Sequence, residues 1–341
     1  MKALVLSGGG ARGAYEAGVA SALLEREDFD LVCGVSIGAI NAALICTGRD
    51  DALERFWLDA FPNQVLQLFP HVPPLRRVVE HLALLGAGTP WQNALRIARA
   101  ATELRFLRNL GRIHKTSLPE IAAALQAMLD FRNRKRSLLA GATNVSLGTA
   151  VAFHAFLDAP GGALEHVRGQ RAIELHEITE ENFILTLLAS AAMPGLFSPI
   201  QLQFDGESAM YADGCIVYNS PLGLAIDTGA TEVTVLFVDP EPEMESGNSI
   251  AGFGQMAANI VTLWQQRVLD YELRLAEATN EIVRLGGASE RRLVTIRHVR
   301  PERPLDLDIL GFDDAMGMIK AFEQGRVDGA AAPRHGLLRA V

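Results

Sequence analysis

Two short stretches near the start of the chain carry the residue types of acyl transfer, Gly34-Val35-Ser36-Ile37-Gly38 and Gly8-Gly9-Gly10-Ala11-Arg12-Gly13. In Gly-x-Ser-x-Gly the serine occupies a sharp, strained strand-to-helix turn, and the flanking glycines let strand and helix approach closely. Such a turn should leave Ser36 Oγ exposed at a helix N-terminus, where free N–H groups and the helix dipole favour developing negative charge. Ester hydrolysis also needs fixed donors for the tetrahedral oxyanion, and the glycine loop offers backbone N–H groups for it. A third element is Asp213-Gly214, which follows Tyr211-Ala212 at the end of a short apolar run. An acid at such an edge is a candidate base for Ser36, although Asp-Gly also marks plain turns.

Gly8-x-Gly10-x-x-Gly13 has a second reading, as the dinucleotide-binding fingerprint. That use requires an acid about 20 residues on, at the far end of the next strand. Asp28 and Asp30 precede the run Leu31 to Val35, and its far end carries Ser36 instead.

The elements that must position these residues read as strand, tight turn, helix, twice over. Ala3 to Leu6 leads through the glycines into a helix from about Ala14 to Arg26, and Leu31 to Val35 leads through Ser36 into a helix from Ile37 to about Thr47. This is a βαβ pattern with parallel pairing, so both turns should lie side by side at one sheet edge. Further strands are expected at Leu138 to Thr143, Thr149 to Phe156, around Asp205-Gly206, at Glu232 to Phe237 and at Leu293 to His298. Helices are expected at Asn182 to Ala191, Ser249 to Leu285 and Asp313 to Gly325. Between the second helix and Leu138, residues 61–136 show no strand pattern and read as a helical insertion, with helices around Trp91 to Leu110 and Leu118 to Phe131.

That insertion is basic. Residues 71–140 hold twelve Lys and Arg against four Asp and Glu, whereas the whole chain of 341 residues has a net charge of −9. A basic helical face can attract an anionic membrane surface, and its arginines can equally pair with the acidic remainder. No recognised nucleic-acid motif accompanies the patch. The composition, 49% hydrophobic and 21% charged, is that of a compact globular protein. Cys33, Cys46 and Cys215 have neither disulfide nor metal spacing, which favours a reducing compartment. The opening apolar run is too short for a signal peptide, so the expectation is a cytoplasmic protein with the option of peripheral membrane contact. No metal-ligand cluster is apparent, and neither a metal nor a cofactor is expected.

Taken together, the two glycine stretches and Asp213-Gly214 resemble the patatin-like phospholipase family. Ala189-Ser190-Ala191 with Pro194, Phe197 and Pro199, then Asn219-Ser220-Pro221, and Phe312 onward extend the likeness over nearly the whole chain. Cys215 departs from it, since Gly or Ala usually follows the Asp-Gly pair. The resemblance implies an α/β fold, a three-layer sandwich of helices around a mainly parallel central sheet, spanning 1–341 as one domain. It also implies a Ser-Asp dyad that cleaves fatty acyl esters without a metal, with lipid, either phospholipid or lysophospholipid, as substrate. Carried over by position, Ser36 is the nucleophile and Asp213 the base. Gly8, Gly9, Gly10 and Arg12 form the oxyanion hole, and Gly34 and Gly38 shape the nucleophile turn.

The sequence therefore points to a carboxylic ester hydrolase of phospholipase A or lysophospholipase type. The alternatives are a catalytically silent lipid-binding member of the fold and a dinucleotide-binding protein. Ser36, Asp213 and His298 run in the chain order of a hydrolase triad, but a single strand before Ser36 and the lack of a motif around His298 favour the dyad.

Overall fold

The computed structural model describes residues 1–47, 51–65, 89–98, 122–158, 173–194, 197–217, 221–241, 253–287, 291–309, 311–312 and 314–333, leaving aside the side chains of 61–65 and 253–266. Among the described residues, nine strands form one sheet: β1 (Lys2–Leu6), β2 (Leu31–Val35), β3 (Ser137–Asn144), β4 (Thr149–Ala155), β5 (Ile173–Glu177), β6 (Ile200–Phe204), β7 (Glu207–Asp213), β8 (Glu232–Leu236) and β9 (Thr295–Val299). Along the main path the order is β5-β4-β3-β2-β1-β8-β9, and a β6–β7 hairpin joins it through β3. The β1–β2, β1–β8, β2–β3, β4–β5 and β8–β9 pairs are parallel. The β3–β4, β3–β7 and β6–β7 pairs run antiparallel.

The central strands read as nearly unbroken apolar runs because both sheet faces are covered. Successive side chains alternate between two cores: Leu4, Leu6, Val32 and Leu236 enter one, and Ala3, Val5, Leu31, Cys33, Val233 and Val235 enter the other. On the first face lie α1 (Gly13–Leu24), α2 (Ile37–Thr47), α3 (Ala52–Arg55), α4 (Phe183–Ser190) and the C-terminal α7 (Ala315–Ala331). On the second lie α5 (Leu222–Asp227) and the long α6 (Phe253–Arg284). Every residue of α2 is buried, which is why its sequence is apolar or small all round. Two glycines lock α1 onto α7. A Cβ on Gly18 would meet Phe322 O at 2.0 Å and one on Gly325 would meet Tyr15 O at 2.1 Å, so the two backbones touch.

The structure departs from the sequence reading in three places. β5 and α5 are additional elements, and α7 runs six residues past Gly325. Of the 61–136 segment, residues 66–88 and 99–121 lie outside the described residues, while 90–98 and 122–128 are helical. Arg99, Arg105, Arg108 and Arg112 therefore fall outside as well, as do Asn219 and Ser220. The described arginines at the end of the segment have partners in the fold: Arg132 with Glu180 at the surface, Arg134 over the Phe131 ring, and Arg136 with Asp28 and the Ile45 carbonyl.

Cys33 and Cys46 are buried, Cys215 is half-buried, and none of the three forms a disulfide with another. Burial pushes the Cys33 thiol well up and the Cys46 thiol up to about 12, so both stay protonated and inert. No helix among the described residues is long and apolar enough to cross a membrane.

Candidate active site

The parallel register sets Leu6 beside Gly34, so the turns after β1 and β2 leave the sheet at one edge, next to each other. After β2 the backbone turns sharply at Ser36, whose φ of +58° is a left-handed conformation that a side chain rarely adopts. The turn is tight enough to exclude side chains at its glycines. A Cβ on Gly38 would lie 2.4 Å from Ser7 O and one on Gly34 2.1 Å from Gly38 O. Strain of this kind costs on the order of 1–3 kcal/mol and persists only where neighbours over-determine it.

Those neighbours come from distant parts of the chain. The Ser36 N–H donates to Ser190 Oγ at 3.1 Å, and Ser190 Oγ donates in turn to Gly141 O at 2.6 Å, tying the turn to the end of α4 and to β3. Ser36 Oγ donates to Asp213 Oδ2 at 2.6 Å. The serine is consequently buried, 5% exposed, and not open as the strand-turn-helix pattern alone implies, because α4 and the end of β7 lie over it.

Asp213 ends β7 and is wholly buried. Its backbone is clamped on both sides, the N–H to Ala192 O at 3.0 Å and the carbonyl by Thr143 Oγ1 at 3.0 Å. Oδ1 accepts from the Cys215 N–H at 2.9 Å, which orients the carboxyl so that Oδ2 faces Ser36. Among the described residues no cation pairs with it. Burial raises the Asp213 pKa, and the hydrogen bonds from Ser36 and Cys215 offset part of that rise.

Gly10 adopts φ +55°, and a Cβ there would fall 2.0 Å from Ile309 O. The 305–309 segment is fastened over the loop by the Ala11 N–H on Ile309 O at 2.9 Å and by Arg12 Nε on Leu307 O at 2.8 Å. Among the described residues, the N–H groups of Gly8, Gly9 and Gly10 have no acceptor. Arg12 differs from its expected place as an oxyanion donor. Its N–H goes to Gly9 O, and its guanidinium pairs with Asp239 at 2.6 Å in largely buried surroundings, so it holds the loop and the end of β8 together. The protein's own backbone at Ile309 fills the approach to Gly10 that a pyrophosphate would need, which removes the dinucleotide reading.

Residue patterns assign no role to Glu16, the buried carboxyl beneath the loop. Glu16 Oε1 accepts from both the Ser7 N–H and Ser7 Oγ at 2.7 Å, while Oε2 has no partner among the described residues. Burial pushes its pKa well up. Asn41, also wholly buried, donates to Gly13 O at 2.9 Å and accepts from Trp57 Nε1 at 2.9 Å, fixing the start of α1 against α2.

His298 is not brought to this site. It sits on β9, three strands from β2, about 14 Å away at the usual strand spacing. Its ring lies edge-on to Phe237 and 3.9 Å from Glu241. No cluster of potential metal ligands occurs among the described residues.

A family model described as patatin-like phospholipase matches residues 4–226, which contain Ser36, Asp213 and the glycine loop. Among solved structures, the crystal structure of VipD from Legionella pneumophila is similar over 97% of this chain and 66% of that one, with 15% sequence identity and a TM-score of 0.39. The chain thus spans somewhat under two thirds of the VipD chain. No protein with a curated description matches.

Proposed function

The chain belongs to the patatin-like phospholipase family, and from that premise we propose that it is a serine lipid acyl hydrolase acting through a Ser36–Asp213 dyad. One observation carries this reading. A serine held at positive φ donates a 2.6 Å hydrogen bond to a wholly buried carboxyl that has no cation beside it among the described residues. Buried Glu16 also lacks a cation among the described residues, but its partner Ser7 is not held at positive φ, and that strained turn supports Ser36–Asp213 over Ser7–Glu16.

In the proposed reaction, Ser36 Oγ attacks the acyl carbonyl carbon while its proton passes to Asp213 Oδ2. The carbonyl oxygen becomes an oxyanion within reach of the Gly8, Gly9 and Gly10 N–H groups, and each such donor is worth roughly 2.7–4 kcal/mol. Collapse breaks the ester C–O bond, and Asp213 returns the proton to the departing alcohol. Water then gives its proton to Asp213, attacks the acyl-serine and releases the fatty acid, restoring Ser36. A carboxylate is a weak base for serine, and burial brings its pKa closer to a useful range. Arg12, Glu16 and Ser190 act through the backbone they hold, as positioning residues.

The same reading makes 1–341 one domain, with 61–136 a basic helical insertion, and takes phospholipids or lysophospholipids as substrates in the manner of a phospholipase A or lysophospholipase. Arg134 and Arg136 are engaged within the fold, whereas Arg132 pairs with Glu180 at the surface, so contact with an anionic membrane would fall to Arg132 and the other basic residues of the insertion. Incubating the purified protein with a panel of phospholipids, lysophospholipids and short-chain esters, beside Ser36→Ala, tests the proposal. Release of free fatty acid by the parent alone is the expected result. Lipid binding without turnover would identify a silent member of the fold.

A further inference from the structure

Helix α6 presents an apolar seam on the face turned away from the sheet. Its inward side is committed: Leu269 and Leu273 are buried in the second core, and Asn280 exchanges hydrogen bonds with both the carbonyl and the N–H of Val294. Offset by two residues, about 200° round the helix, Tyr271, Leu275, Ala278, Ile282 and Leu285 are all exposed, the four large ones by 65%, 67%, 52% and 79%. Their spacing is 4, 3, 4, 3, the repeat with which one helix meets another along a single seam. In sequence the same spacing continues backwards to Val268.

The exposed charges beside the seam are of both signs, Arg267, Arg274, Glu277, Glu281 and Arg284, while Asp270 is turned inward to Arg300. A helix that lies on an anionic bilayer carries mainly Lys and Arg on its polar face, so the mixed flanks favour a protein partner that itself carries charges of both signs. We propose that the partner is a second copy of this chain, with the two α6 helices antiparallel about a two-fold axis between residues 276 and 277. In that register Leu275 lies against the partner's Ala278, Tyr271 against the partner's Ile282, and Leu285 against the partner's Val268. Large side chains then meet small or branched ones in each layer. Arg274 comes beside the partner's Glu281, twice by symmetry, and the helix dipoles oppose. A parallel pair would set Ala278 on the partner's Ala278 and leave a gap.

An isologous contact of this kind closes at two copies. At roughly 60–120 Å² per large side chain, the area implied by usual burial energies, the exposed residues of both copies bury on the order of 500–1,000 Å² before flanking stems are added. That falls short of the roughly 1,200 Å² of a stable, specific interface and fits a weak, reversible contact. Self-association should therefore depend on concentration in the micromolar range. The seam belongs to the sheet face opposite α1 and α2, so the inference stands apart from the proposed chemistry.

Sedimentation of the full chain from about 1 to 100 μM, a span covering micromolar Kd values, tests it, beside a Leu275→Glu, Ile282→Glu double variant. The parent should shift from monomer to dimer mass across that range. The variant should stay monomeric, with an unchanged circular dichroism spectrum and unchanged turnover of a soluble ester. Orientation is read by oxidising Tyr271→Cys and Ile282→Cys proteins separately and mixed, with the joined peptides identified by mass. A 271–282 disulfide between chains, formed only in the mixture, is expected. A parent that remains monomeric throughout, a dimer that survives both glutamates, or Tyr271→Cys joined to itself would overturn the proposal. So would a monomeric parent that binds phosphatidylglycerol vesicles through this face and loses that binding in the double variant.

Discussion

Replacing Asp213 by Asn should inactivate the protein and stabilise it at once. The carboxyl is wholly buried, and its pKa is raised first by desolvation, with the Ser36 and Cys215 hydrogen bonds working against the rise. An unfolded aspartate titrates near ~3.9. With the folded pKa above that value, the folded state binds more protons between the two, so stability present below about pH 4 is lost as pH rises through the folded pKa. Above the folded pKa the full loss is in place, about 1.4 kcal/mol for each pKa unit of elevation. The replacement amide carries no charge, keeps an oxygen for the Cys215 N–H and turns its NH₂ toward Ser36 Oγ, so the packing survives while the penalty disappears. A chain of this length has an unfolding entropy on the order of 700 cal/mol/K, and each kcal/mol moves Tm by about 1.4 °C. Thermal unfolding followed from pH 4 to 8 should show the variant melting higher than the parent at pH 7, with the gain vanishing toward pH 4. Ester turnover should drop by about 10²–10⁴-fold, the span of general-base catalysis. A variant that keeps activity within threefold, or that melts several degrees lower at pH 7, would refute the role assigned to this carboxyl.

Three further changes probe what holds the site. Ser190→Ala removes the acceptor of the Ser36 N–H and the hydroxyl that donates to Gly141 O; a loss of about 1–3 kcal/mol in chemical denaturation is expected, with kcat falling more than KM changes. Gly38→Ala sets a methyl 2.4 Å from Ser7 O, and overpacking of about 1–3 kcal/mol should be accompanied by misplacement of Ser36, read as a collapse of turnover in protein that still unfolds cooperatively. Glu16→Gln keeps an oxygen for Ser7 and deletes a carboxyl whose folded pKa burial raises. By the same sign argument it should flatten the decline of stability between pH 4 and 8 while most activity remains, whereas Glu16→Ala should lower both.

Much of the fold is legible in the chain because local patterns agree with it. β1, β2, α1 and α2 follow apolar run, glycine, small-residue helix, and α2 is buried all round as its composition requires. β5 is an edge strand with Leu175 as its sole buried residue, so its alternating charges hide it. α5 is six residues long and follows Pro221, too short for a helical period to show. At the site, residue types identify Ser36 and Asp213 as candidates, but burial of the serine depends on partners 154 and 177 positions away. Arg12 reads as part of an anion-binding loop until Asp239 and Leu307, 227 and 295 positions on, are seen to hold its guanidinium. Glu16 looks like a solvent-facing charge on an Ala-rich helix. It is buried because α1 is enclosed between the sheet and α7.

Peptide mapping after reaction with a fluorophosphonate tests the Ser36–Asp213 assignment most directly, run on the parent, Ser36→Ala, Asp213→Asn and His298→Ala proteins. A single adduct on Ser36 is expected, absent from Ser36→Ala, much slower to form in Asp213→Asn and unchanged in His298→Ala. An adduct on a different serine, or labelling of Asp213→Asn at the parent rate, would contradict it.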